Sequence, residues 1–488
     1  MIAKWSDKMG LWTRKTIEQL QSLSEGGPHK LKRSLGPFSL ILLGIGCVIG
    51  AGLFSITGIA AAENAGPAIV ISFIIAALGC ALAGLCYSEL ASMIPVAGSA
   101  YTYAFATLGE FVAWIIGWDL VLEYAIGAAA VSISWSAYFT SLLQDFNIYL
   151  PVQWVASPWQ PLTLAEGVHE YGLINLPALF IVGIISTILI IGIKQSAIFN
   201  AAMVITKVSV VFIFIVIGFF YINYENYRPF LPPNEGEFGA FGWSGVLRAA
   251  GVVFFAFIGF DAVSTAAQET KNPQKDLPIG IMGSLAICTI LYVLFAFVLT
   301  GMVNYKDLNV AAPVALAIEH TPYPWLQGLV KLAILAGLTS VILVLLLGQS
   351  RVFYAMAKDG LLPPMFASIH PVFKTPWISN LILLVFVGLI GAFAPLSAVG
   401  YMTSIGTLLA FVIVCIGVLV LRYREPHLPR PFKTPFVPLI PILGILVCMA
   451  MMLSLELITW LRLLIWLAIG ISIYFYYGRY HRKPHLNG

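Results

Sequence analysis

Four ionisable side chains stand where ionisable side chains are expensive. Lys207, Asp119, Glu123 and Asp261 all fall inside long apolar runs. Lys207 lies about ten residues into such a run, about 15 Å at about 1.5 Å of rise per residue, too deep for its ammonium to snorkel easily to water. A lysine stripped of hydration can exchange a proton near neutral pH, which suits a proton carrier. The structural alternative is a lysine tied to helix-end carbonyls. Glu123 follows Asp119 by four residues, on the same helical face, and could meet an amine or brace a neighbouring helix. Asp261 follows Gly259 by two, and could gate a path or cap a helix start. Thr339 and Ser340 carry hydroxyls that could face Lys207 or simply bond their own backbone. Phe255 is either a core aromatic or a lid over a bound molecule.

A second kind of chemistry needs no side chain. The stretch Gly46-Cys47-Val48-Ile49-Gly50-Ala51-Gly52-Leu53-Phe54 places glycines inside an apolar run. Each interior glycine weakens a helix by about 1 kcal/mol relative to alanine and lets the backbone leave helical geometry. At lipid depth the freed N–H and C=O groups must be buried in protein or line a cavity. Amide donors at a restarted helix suit a carboxylate; close packing through small residues is the alternative. Phe254-Phe255-Ala256-Phe257-Ile258-Gly259-Phe260-Asp261 repeats the pattern of a glycine within an apolar run.

The elements that must position these groups are membrane helices. Sixty per cent of the residues are apolar, 10% are charged and the mean hydropathy is +0.92, against about 25% charged residues in soluble domains. The expected fold class is an all-α polytopic membrane protein. Twelve spans are expected at 38–62, 67–93, 108–142, 174–193, 197–222, 246–269, 278–302, 326–355, 376–394, 397–421, 436–454 and 459–477. The two glycine-interrupted spans lie five apart, which predicts a five-plus-five inverted repeat with broken first and sixth helices, followed by two more helices; the general principle takes its example from a transporter of this fold. The domain reading is a tail at 1–37, a core at 38–421, a connector at 422–435, two helices at 436–477 and a tail at 478–488.

Most of the 26 Lys and Arg residues lie in the two tails and the even-numbered loops, from Lys194, Lys271 and Lys275 to Arg422, Arg424, Arg430 and Lys433. By the positive-inside rule that side, with both termini, is cytoplasmic. The first 36 residues are polar and basic, so no cleavable leader is expected. Cys47, Cys80, Cys86, Cys288, Cys415 and Cys448 fall in apolar runs without metal-ligand spacing and read as packing residues. No nucleotide loop, zinc-protease helix or potassium-filter motif occurs. No cofactor, metal or nucleic acid is expected.

The motifs taken together resemble the amino acid–polyamine–organocation (APC) superfamily, in its bacterial branch close to cationic amino acid transporters. They comprise the Gly46–Phe54 run, Tyr87-Ser88-Glu89-Leu90 with Pro95-Val96-Ala97-Gly98-Ser99, Trp118-Asp119-Leu120-Val121-Leu122-Glu123-Tyr124, and Gly192-Ile193-Lys194-Gln195-Ser196-Ala197. Phe257 to Asp261 with Glu269-Thr270-Lys271-Asn272-Pro273, Gly348 to Pro363, and Arg430-Pro431-Phe432-Lys433-Thr434-Pro435 complete them.

The resemblance implies a substrate α-carboxylate on the amides of Gly50, Ala51 and Gly52. It implies an α-amine on carbonyls near Val48 and on those of Phe255, Ala256 and Ile258. Lys207 matches a lysine that stands where sodium-coupled relatives bind an ion, with Thr339 and Ser340 near the flanking hydroxyls. Glu123 and Asp261 are the gate or brace. The expected function is import of L-amino acids with protons through the cell membrane; the partners are the amino acid, protons and the bilayer. Exchange of amino acids is the alternative mechanism. A non-transporting sensor would need a longer tail, and an intramembrane aspartyl protease would need a pair of catalytic aspartates with a motif around them.

Overall fold

The computed structural model describes residues 11–16, 20, 35–96, 99–158, 161–163, 169–192 and 197–482. Most of the tail at 1–37, Ala97 and Gly98 in the Pro95–Ser99 motif, the 193–196 stretch with Lys194, and the tail end at 483–488 lie outside the described residues.

Helix α1 (Pro37–Val48) starts on Pro37, whose missing N–H costs nothing at a first helical turn. It stops where Ile49 turns extended, with ψ 104°. The chain resumes as α2 (52–65), whose first and last turns widen to i→i+5 bonding. Then follow α3 (Ile69–Met93), α4 (Ser99–Thr107) and α5 (Glu110–Asp145). A two-stranded antiparallel hairpin, β1 (Pro161–Thr163) with β2 (His169–Tyr171), pairs Leu162 with Glu170. Next come α6 (Leu176–Ile191), α7 (Ala197–Phe219) and α8 (Gly242–Val253). A 3-10 turn over Phe254–Phe257 ends at an extended Ile258 and a Gly259 with φ +107°, a left-handed value that favours glycine. After it come the short α9 (Ala262–Thr265), α10 (Pro273–Met302), α11 (Pro313–Glu319), α12 (Pro324–Lys358), α13 (Trp377–Phe393), α14 (Leu396–Arg424), α15 (Leu439–Ser454) and α16 (Leu457–Ile473).

Eight helical runs among the described residues are long and apolar enough to cross a membrane, and four more are apolar but shorter. The molecule is a predominantly helical, multi-pass membrane protein. Helices α3, α5 and α14 are apolar on nearly every face, as buried membrane helices are. Two details differ from the sequence expectation. The stretch 99–107 is a helix whose side chains are all buried. Helix α10 begins at Pro273, so Pro278 lies in its second turn, where its missing N–H leaves the Gln274 carbonyl without its usual i+4 donor.

The basic connector is pinned to the core by one carboxylate. Glu89 on α3 takes two hydrogen bonds of 2.8 Å from Arg422 and one of 2.8 Å from the Thr434 amide, and pairs with Arg430 at 3.2 Å. Arg430 also donates to the carbonyls of Leu428 and Glu425, both at 2.8 Å. Removing the acid leaves Arg430, whose side chain is 3% exposed, as an unpaired buried charge. Such losses cost about 3–5 kcal/mol. Glu89→Ala is therefore expected to lower the unfolding temperature measurably in detergent, and an unchanged melting curve would show the connector to be held by other contacts.

Candidate functional site

The two backbone interruptions meet. Gly52 at the start of α2 lies so close to Ala256 that a Cβ there would fall on the Ala256 Cα, with the Ala256 nitrogen at 2.6 Å. Gly259 packs against Cys47, whose Cβ and carbonyl oxygen would sit 3.0 and 3.1 Å from an added carbon. Between the breaks is a cavity lined by Val48, Gly50, Ala51, Gly52, Phe255 and Ile258, with Cys47, Glu123, Gly127, Val131, Val341 and Leu345 forming the rest of its wall. It measures about 20 Å³, little more than the ~10–15 Å³ that one water needs. A larger guest enters only as a wall moves. Ala256 is not in that wall.

The free backbone groups follow from the helix ends. The Gly50 carbonyl accepts from the amides of Leu53 and Phe54, both at 3.2 Å, while the amides of Gly50, Ala51 and Gly52 before them have no helical turn ahead to supply a carbonyl. The positive end of α2 and those amides together favour an anion. On the other side of the break, the end of α1 presents carbonyls. Lys207 reaches them from α7. Its ammonium donates to the Gly46 carbonyl at 2.7 Å and to that of Ile49 at 3.4 Å. A cation at a helix C-terminus is electrostatically favoured. Gly337 on α12 leaves the room for the lysine stem, since a Cβ there would meet Lys207 Cγ at 3.0 Å.

Thr339 and Ser340 are also on α12, yet their hydroxyls donate to their own helix, to Leu335 at 2.8 Å and Gly337 at 2.9 Å. Thr339 accepts from the Trp135 indole at 3.0 Å, and neither hydroxyl bonds Lys207.

Tyr292 on α10 is the residue sequence reading missed. Its hydroxyl contacts the Val48 carbonyl at 2.8 Å and the Ala256 carbonyl at 2.9 Å, so one side chain ties both interruptions. The only sequence signal is that a phenol at lipid depth needs a partner. Each carbonyl keeps a second lone pair for another donor.

Asp261 is fully buried and makes no side-chain cap to α9. Instead one oxygen accepts from Ser99 on α4 at 2.8 Å and from Tyr124 on α5. It braces the second interruption against two other helices. Glu123 lies in a widened turn of α5, Leu122–Ile126, a local irregularity that recurs at functional sites. Glu123 Oε1, both oxygens of Asp119 and Asp261 Oδ1 have no donor among the described residues. Further along α2, Ser55 donates to the Ala311 carbonyl at 2.7 Å, and Tyr138 on α5 donates to that of Phe54.

Comparison with known proteins gives one consistent result. A profile of the family described as "Amino acid permease" matches residues 35–479. The chain is similar to the branched-chain amino acid permease BcaP of Bacillus subtilis, 46% identical over 98% of this chain and 99% of that one. It is similar to the methylthioribose transporter of Bacillus subtilis, 44% identical over 96% and 98%. It also resembles the vacuolar cationic amino acid transporter 4 of Arabidopsis thaliana, 37% identical over 85% of this chain and 67% of that one.

Proposed function

This chain belongs to the amino acid permease family within the APC superfamily, a family of transporters and not of enzymes, and on that premise we propose that it imports L-amino acids together with protons. In this reading the chain crosses the cell membrane twelve times with both termini cytoplasmic. The first and sixth spans are broken, and the first ten spans form two inverted halves around the substrate. The carboxylate rests on the amides of Gly50, Ala51 and Gly52. The amine faces the carbonyls of Val48, Phe255, Ala256 and Ile258, beside the Tyr292 hydroxyl, with Phe255 as the wall that moves. Lys207 carries the proton, and Asp261 and Glu123 gate or brace the path.

The observation that supports this reading is the pair of apposed backbone interruptions lining one cavity, with Gly50, Ala51 and Gly52 at the start of α2 in its wall. The remaining wall supports a substrate with an apolar side chain. Gly127, Val131, Val341, Leu345 and Ile258 offer no charge, and Glu123 is the one ionisable side chain with oxygen present there. A hydrocarbon wall gains from burying aliphatic groups and cannot solvate a guanidinium or ammonium. The relative named as a branched-chain amino acid permease points the same way.

Competition for uptake into proteoliposomes tests this. Leucine, isoleucine and valine are expected to compete strongly, and arginine and lysine weakly. Methyl esters and N-acetyl derivatives of the best substrate are expected to fail, because each removes one of the two groups held by backbone. Methylthioribose lacks both groups and is included because one relative is named for it. Competition by the ester, or by methylthioribose as strong as that of the best amino acid, would overturn recognition through carboxylate and amine.

A further inference from the structure

A second and larger cavity, of about 300 Å³, opens where α12 ends. Its walls are Ala357, Lys358, Gly360, Leu362, Pro364 and Ala367, closed from the far side by Tyr477 and His481 on the helical continuation of α16. It is far from neutral. Lys358 and His481 line it, no carboxylate does, and neither base has an ion-pair partner among the described residues.

The acids nearest in sequence and fold are spoken for. Asp359 is paired with Lys15 at 2.7 Å and accepts from Tyr101 at 2.7 Å. Glu110 accepts from Tyr474 at 2.8 Å and pairs with Arg482 at 3.2 Å. The His481 Nδ1 faces the Tyr477 carbonyl at 3.0 Å and so must donate to it, which leaves Nε2 for the cavity side. The imidazole stacks on the Tyr477 ring with centroids 4.1 Å apart, and Lys358 sits 5.4 Å over the Tyr354 ring. The Lys358 ammonium and the His481 ring are thereby each held against an aromatic face.

We infer that this cavity binds the phosphate headgroup of an anionic phospholipid. Three features argue for a lipid over a soluble anion. The cavity sits at the ends of two helices long and apolar enough to cross a membrane. Its remaining wall is apolar, Leu362, Pro364 and Ala367, which suits the glycerol and first acyl carbons. Its bases lie at the end of the molecule where the N-terminal segment and the basic connector also meet, Arg14 approaching Glu425 to 4.0 Å. Basic pockets between membrane helices on that side are sites for anionic headgroups, each Lys or Arg near the surface contributing about 1 kcal/mol. The lysine supplies a point charge to the phosphate and His481 a second donor when protonated. A lipid there would bridge α12 to α16. The inference rests on membrane embedding and not on the substrate proposed above.

The test uses the full chain, purified in mild detergent and stripped of lipid, with thermal unfolding and native mass spectrometry as readouts. Phosphatidylglycerol is expected to raise the unfolding temperature and to remain bound as a one-to-one adduct. Phosphatidylcholine and inorganic phosphate at the same concentration should do neither. Lys358→Ala with His481→Ala is expected to weaken phosphatidylglycerol binding at least tenfold while amino acid binding persists. Lys374→Ala, an exposed base in the same loop region, should leave it unchanged. Equal binding by the double variant places the lipid elsewhere and overturns the site. Equal stabilisation by phosphatidylcholine would reduce it to an apolar contact, and equal stabilisation by phosphate would make it a soluble-anion site; either result overturns the proposal. Should the double variant fail to fold, Lys358→Gln alone decides, with loss of the adduct expected and its retention fatal.

Discussion

Lys207→Ala is expected to abolish accumulation driven by a proton gradient, an effect of at least about tenfold on uptake against a concentration gradient. The lysine donates at 2.7 Å to Gly46 and at 3.4 Å to Ile49, the carbonyls left exposed where α1 stops. Charged, it holds the end of α1 to α7 and α12. Neutral, it has lost a donor and the positive charge that the helix end favours, so the grip loosens. Proton occupancy and the position of α1 are then one linked equilibrium, and each must bias the other. Alanine removes the grip in both states, so the gradient has nothing to act on. Lys207→Arg is expected to fail as well. Arginine stays charged and cannot cycle, and Gly337 leaves little room beside the stem. Substrate binding, read by thermal stabilisation, should survive in part, because no lysine atom lines the cavity. Sodium should not replace the proton gradient. If Lys207→Ala still concentrates substrate when driven by protons alone, the lysine is a structural cap and Glu123 is the next group to test. If the wild type carries out only exchange and never net accumulation, the chain is an exchanger.

Gly52→Ala is expected to be the most damaging single-methyl change in the site. The added carbon would meet backbone, Ala256 Cα and the Ala256 nitrogen at 2.6 Å, which cannot rotate away as a side-chain tip can. The two interruptions would have to separate, and overpacking of this kind costs about 1–3 kcal/mol. Gly50 differs. A Cβ there finds Val341 Cγ2 at 3.4 Å, an ordinary contact, so Gly50→Ala should fold normally. Gly50 lines the cavity, however, and Gly50→Leu should fill it and block binding. Thermal unfolding together with substrate-induced stabilisation separates the two positions: Gly52→Ala loses stability and binding, Gly50→Ala keeps its stability, and Gly50→Leu, which overfills a cavity of about 20 Å³, loses binding. A well-folded Gly50→Leu or Gly52→Leu protein that still binds substrate would refute the backbone carboxylate site.

Composition by itself determined the class. With one residue in ten charged and apolar runs of helix-crossing length, the chain can satisfy its backbone at lipid depth only as helices. The glycine runs, Gly46–Gly52 and around Gly259, coincide with an extended Ile49 and a left-handed Gly259, because local backbone freedom is a property of the residue itself. Lys207, Glu123 and Asp261 stood out for a similar reason: the cost of burying a charge does not depend on knowing its neighbours.

The neighbours were decided only by the tertiary structure. Tyr292 meets Val48 from 244 residues away and Asp261 meets Ser99 from 162 away, and no spacing rule reaches across such intervals. Lys331, buried near the start of α12, pairs with Asp145 at 2.7 Å, a partner on another helix. Lys15 belongs to the polar, basic N-terminal stretch, yet it is tied to Asp359, 344 residues away. Thr339 and Ser340 show the converse. Their position in sequence allowed them to face Lys207 or to bond their own helix, and in the structure both hydroxyls donate to their own helix. A span all of whose faces are apolar carries no periodicity to say which face meets which partner. That choice is made by shape, through contacts such as Gly52 on Ala256 and Gly337 on Lys207, because in a bilayer helices associate by close packing and not by escaping water.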